Sequence, residues 1–95
     1  MFIAVLRFRL AIPAGDLKQK RMVVRSVVAR LRGRFNAAVA EIGDLDLASS
    51  AALAAVCVSK DAAHADAQVQ AILAHVRAER LDAELLDVET ELIPC

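Results

Sequence analysis

The chain is predicted to be a ferredoxin-like βαββαβ sandwich of the α+β class, a four-stranded antiparallel sheet with two helices on one face. Three observations predict it. Residues 2–12 and 84–93 alternate along the chain with a period of two, as strands with one buried face do. Residues from Asp16 to Gly33 and from about 62 to 80 repeat their apolar positions at helical spacing, each behind an aspartate suited to a cap. Two further apolar runs, 36–42 and 51–59, flank a polar loop between the helices, as the strands of a hairpin would.

In the first strand Phe2, Ala4, Leu6, Phe8, Leu10 and Ile12 share one face, and Ile3, Val5, Arg7, Arg9 and Ala11 the other. Pro13-Ala14-Gly15 ends it, since proline cannot donate to a ladder and glycine permits a turn. The Asp16 carboxylate can accept from first-turn N–H groups, and Gln19 three residues on completes a capping-box pattern. At ~100° per residue Leu17, Val24, Val27, Val28, Leu31 and Phe35 fall on one side of the first helix. Each Val or Leu fully buried there contributes roughly 1.5–3 kcal/mol. Gly33 is the expected stop. The hairpin loop, 43–50, carries Asp44 and Asp46. Asp61 is the expected cap of the second helix, with Ala65, Val69, Ile72, Leu73 and Val76 toward the core. In the last strand Leu86, Val88, Thr90 and Leu92 are expected inward and Asp87, Glu89 and Glu91 outward. Two right-handed split βαβ units then give the sheet.

Ninety-five residues suit one domain, 1–95, able to bury somewhat over ~60% of its extended surface. Apolar residues make up 58%, almost all aliphatic, with three Phe and no Trp or Tyr, which argues against disorder and against stacking bases on aromatics. No apolar run is long enough to cross a bilayer, and Arg7 and Arg9 break what would otherwise begin like a signal sequence. A cytoplasmic protein with no membrane partner is expected. Cys57 reads as a small buried hydrophobe and Cys95 as a free thiol; without a Cys–x–x–Cys no structural zinc is expected. The chain should fold without metal, disulfide or cofactor.

Leu17-Lys18-Gln19-Lys20-Arg21, Arg25-Ser26, Arg30-Leu31-Arg32, Arg34-Phe35-Asn36, Val39-Ala40-Glu41 and Ser59-Lys60-Asp61 together resemble the YlxP-like family, small bacterial proteins of unknown function. The resemblance covers nearly the whole chain and is most specific from the first leucine–lysine pair to the asparagine. It implies a ferredoxin-like fold. It also implies a genomic association with translation and ribosome maturation, including the gene for ribosome-binding factor A, which is association rather than mechanism. The hairpin departs from the family: many relatives carry Gln, Trp or Arg after the acidic residues, where Leu45, Ala48, Ser49 and Ser50 stand here.

Charge is sharply segregated although the net is zero. Residues 17–34 hold Lys18, Lys20, Arg21, Arg25, Arg30, Arg32 and Arg34 and no acid; residues 79–95 hold six acids against Arg80. With Leu17 at 0°, Lys18, Arg21, Arg25 and Arg32 fall between about 40° and 100°, a stripe of about 21 Å at ~1.5 Å rise per residue. Duplex phosphates recur every ~3.4 Å per strand, so such a stripe could meet several. Lys18, Lys20, Arg21, Arg25 and Arg32 are therefore the candidate nucleic-acid-binding residues. A solvated face covering the sheet edge, or a dock for an acidic protein, would use the same residues. On the open sheet face Ile3, Val5, Arg7, Arg9, Glu89 and Glu91 form a candidate interaction surface, joined by Val39; its charges pair across strands or meet another copy.

No catalytic group is expected. There is no Walker or Rossmann glycine loop, and Pro13-Ala14-Gly15-Asp16 does not replace the glycine-rich loop of acylphosphatases. His64 and His75, eleven residues apart, lie about 16 Å apart along a helix, too far for one metal ion, and are expected to be exposed. Glu41, Asp44 and Asp46 are read as solvated hairpin acids, a divalent cation being the alternative. The expected function is a non-enzymatic module binding RNA or the ribosome through its basic helix. The alternative is protein interaction or homo-oligomerisation through the sheet face. No small-molecule substrate is evident.

Overall fold

A computed structural model describes residues 1–13, 15–79 and 83–95. The elements are β1 (Phe2–Ala11), α1 (Leu17–Arg34), β2 (Ala38–Gly43), β3 (Ser50–Ser59), α2 (Ala62–Ala78) and β4 (Glu84–Pro94). The strands form one antiparallel sheet in the order β2-β3-β1-β4. Helix α1 packs over β2 and β3, and α2 over β1, β3 and β4. This is the ferredoxin-like order the alternation predicts. Arg80 and Asp82, part of the acidic tail seen in the sequence, lie outside the described residues, as does Ala14.

The core is aliphatic. Ala4, Leu6, Phe8, Leu10 and Ile12 meet Ala51, Leu53, Ala55 and Cys57 on the covered face, against Val24, Val27 and Leu31 from α1 and Ala65, Val69, Ile72, Leu73 and Val76 from α2. Both helices are capped as expected. Asp16 Oδ1 accepts the Gln19 N–H at 2.8 Å, and Asp61 Oδ1 the Ala63 N–H at 3.0 Å. The Gln19 side chain lies back over Gly15, where an added Cβ would come within 2.8 Å of its Oε1.

Several expectations need correction. Gly33 does not stop α1: the helix runs on to Arg34, and Phe35 caps it, donating its N–H to the Leu31 carbonyl at 2.9 Å. Val39 belongs to the core and not to the open face, being opposite Ala55. In β4 the expected inward set breaks at Leu86. Arg7 stands opposite Glu89 but Arg9 opposite Leu86, so two residues of β4 oppose Phe8 alone. Asp87 takes the left-handed conformation, φ 51°, at this bulge. The pleat changes phase there: Leu85, opposite Leu10, packs on the core, while Leu86 shares the outer face with Arg9. Thr90 and Leu92 keep the predicted parity yet remain exposed, because β4 is an edge strand.

Candidate nucleic-acid interface

Helix α1 has three distinct sides. Its inner side carries Lys20, Val24, Val27 and Leu31. One flank meets the end of α2: Arg30 Nη1 lies 3.3 Å from Glu79 Oε2. The opposite flank carries Lys18, Arg21 and Arg25, all exposed and without a carboxylate partner among the described residues, and Arg32 farther along. The Arg32 guanidinium donates to the Val39 carbonyl of edge strand β2 at 2.6 Å. The stripe therefore runs along the β2 edge of the molecule, and its last cation is already engaged by backbone.

Lys20 is not part of this surface. It is 1% exposed, and its Nζ lies 3.0 Å from Glu41 Oε2 and donates to the Asp44 carbonyl. The contact with Glu41 is ionic and is not aligned as a hydrogen bond; the aligned bond goes to Asp44. Burying an ammonium is costly unless it is paired, and here both partners come from the hairpin. Glu41 points inward on β2 by the same alternation that buries Val39 two residues earlier, and a bulge follows it: Glu41 faces Leu53 and Gly43 faces Ala52, with Ile42 between them. The hairpin acids are thus dispersed among different partners. Asp44, at φ 58°, accepts from Ser50 Oγ at 2.8 Å and lies 3.3 Å from Arg9 Nε, and Asp46 is exposed.

On the uncovered sheet face Arg7 Nη2 pairs with Glu91 Oε1 at 3.1 Å, diagonally rather than with Glu89 opposite. Arg9 lies between Asp44 and Asp87, 3.5 Å from the latter. These are the two non-glycine residues of positive φ among those described, and one arginine contacts both. Val5 is only 8% exposed; Val56 and Glu91 flank it in the register. The expected patch at Ile3 and Val5 is therefore largely covered by the chain itself.

His64 is exposed, its Nδ1 3.1 Å from Ser59 Oγ. His75 is not exposed as expected. It is half-buried, edge-on to Phe35 with ring centroids 5.6 Å apart at 74°, its Nε2 3.0 Å from Glu79 Oε1. Among the described residues no group of three His, Cys, Asp or Glu is placed to hold a metal, and no helix is long and apolar enough to cross a membrane.

Residues 3–90 match the family model DUF503, described as a protein of unknown function. The chain belongs to DUF503. One relative is the uncharacterized protein YlxP of Bacillus subtilis (strain 168), 30% identical over 63 residues, 66% of this chain and 68% of that one. The likeness to YlxP seen in the basic helix is thus that of a DUF503 member, and the α+β order described above is the fold of this member.

Proposed function

We propose that the protein is a cytoplasmic, non-catalytic binding module that engages the phosphates of RNA, alone or on the ribosome, through the outer flank of α1. The observation that carries this is one row of three exposed cations, Lys18, Arg21 and Arg25, on a helix that holds no acid. A solvated flank usually mixes signs. No aromatic residue stands in the row, so contacts would go to phosphates and carry little sequence information. Arg32 can join only by sharing its bond to Val39, and Lys20 is withdrawn into the interior.

The test is binding to short RNAs across a salt series. Three neutralised phosphates give a log–log slope of about −2.7 on a duplex and about −2.1 on a single strand. Arg21→Glu with Arg25→Glu should weaken binding to every RNA alike and leave thermal stability nearly unchanged, since both residues are exposed. Absence of binding to RNA or ribosomes at low salt, or wild-type affinity in the double variant, refutes the proposal.

A further inference from the structure

The two edges of the sheet are finished differently. At β2, six residues long, the Arg32 guanidinium lies against the strand and donates to the Val39 carbonyl. At β4, eleven residues long, the pairing with β1 shows which backbone groups face outward. Met1 and Cys95 exchange both bonds, each nitrogen giving to the other's carbonyl at 2.8 Å. Antiparallel pairs alternate between bonded and non-bonded. Ile93, Glu91 and Glu89 are therefore bonded to β1, while Pro94, Leu92 and Thr90 turn their backbone groups away from it. Pro94 fits this phase, since it has no N–H and β1 asks for none there. The N–H and C=O groups of Thr90 and Leu92 are left over, with no partner among the described residues. Such a row is a template for a further strand.

The side chains along this edge differ by face. On the helix side Thr90 and Leu92 are exposed, Leu92 at 41%. On the other side stand Glu89 and Glu91, with Asp87 at the bulge, and β4 holds no base. Glu89 has no cation partner among the described residues. A second copy of the chain suits the edge poorly. Two-fold pairings centred on Glu89, Thr90 or Glu91 each set carboxylate opposite carboxylate, which destabilises. The same acids repel the phosphates of RNA.

We propose that the free edge of β4 takes up an extended segment of another protein in which basic and apolar residues alternate. The segment adds a strand to the sheet, with its basic side chains beside Glu89 and Glu91 and its apolar ones beside Leu92. Main-chain bonds to Thr90 and Leu92 supply affinity, and the alternation supplies specificity. The bulge at Asp87 and the proline at 94 bound the site, so it holds a short stretch.

Amide hydrogen exchange read by NMR, with and without a short capped peptide of alternating valine and lysine, tests it. The Thr90 and Leu92 amides should exchange fast in the free protein and become protected on binding. Those of Glu89 and Glu91, already bonded to β1, should change little. High salt should weaken binding, and a peptide with glutamate in place of lysine should not bind. Thr90→Pro removes an outward N–H without taking a bond from β1. It should keep the far-UV circular dichroism of wild type and bind the peptide about tenfold more weakly, the upper end for one hydrogen bond. Leu92→Pro serves should that variant fail to fold. Arg21→Glu with Arg25→Glu should bind the peptide as wild type does, which separates this proposal from the one for RNA. Absence of protection at Thr90 and Leu92 at the highest soluble peptide concentration overturns the proposal. So does equal binding of the glutamate peptide, or a folded Thr90→Pro with wild-type affinity. A wild-type dimer that Thr90→Pro dissociates would give the edge to a second copy and overturn it too.

Discussion

Replacing Lys20 with methionine should destabilise the protein by about 3 kcal/mol. The substitution nearly conserves volume, so its effect comes from charge and not from a cavity. It leaves the Glu41 carboxylate facing the interior without its cation, and the Asp44 carbonyl without one of its two donors, the other being the Leu47 N–H at 3.0 Å. Breaking a buried pair from one side costs roughly 3–5 kcal/mol. Glu41 keeps 19% of its side chain exposed, so water relieves part of that and the low end applies. For a domain of this size the loss corresponds to a fall in Tm of roughly 12–24 °C. Removing both charges, Lys20→Met with Glu41→Leu, should recover stability to within about 1 kcal/mol of wild type, because an apolar pair replaces an ionic one without an orphan. Urea unfolding followed by circular dichroism gives all four corners of the cycle. A Lys20→Met variant within 1 kcal/mol of wild type, by the same scale, would show that the pair is not the buried, coupled unit described above.

Burial pushes the Cys57 thiol above its ordinary value of 9.0. A thiol reagent should therefore label Cys95 alone in the native protein and both cysteines in urea. The unfolded chain loses the Cys57 proton first as pH rises, so this contribution to stability is complete below the ordinary thiol value and is lost above it. Unfolding midpoints that stay level through that alkaline range would contradict it. At the β4 bulge, Asp87→Val should cost about 1–2 kcal/mol, since a β-branched residue is strained at positive φ. Asp87→Gly should be nearly neutral by urea titration, because glycine takes that conformation freely and the exposed contact with Arg9 contributes little.

Where one periodicity governs a segment, the sequence is a sufficient guide. The alternation of β1 and the core positions of α2 appear in the structure as the pattern predicts, since each residue there obeys a single local rule. Lys20 is the instructive failure. At ~100° per residue it stands at about 300°, between Val27 and Leu31 and so in the middle of the buried side. Its position was visible; its side chain's charge suggested the surface instead, and its partners Glu41 and Asp44 come from a hairpin more than twenty residues away. The phase change at Asp87 was not visible, because a bulge inserts one residue without altering the composition of the strand. The expected exposure of His75 rests on its own helix alone, whereas Phe35, against which its ring packs, is brought to it by the packing of α1 beside α2.

Asp44 is bound from both sides of the sheet. Its carbonyl takes the interior ammonium of Lys20, and its carboxylate takes Ser50 and the outer-face Arg9. The tip of a hairpin is ordinarily among the first places to open, well below the free energy of global unfolding. Here, opening it would uncover a charge buried under α1 and take from Arg9 one of its two carboxylate contacts at the same time. The hairpin is thereby joined to the core beneath α1 in one cooperative unit. Amide protons around residues 41–44 should exchange with solvent only when the whole domain unfolds, at the rate of the central strands rather than that of a loop.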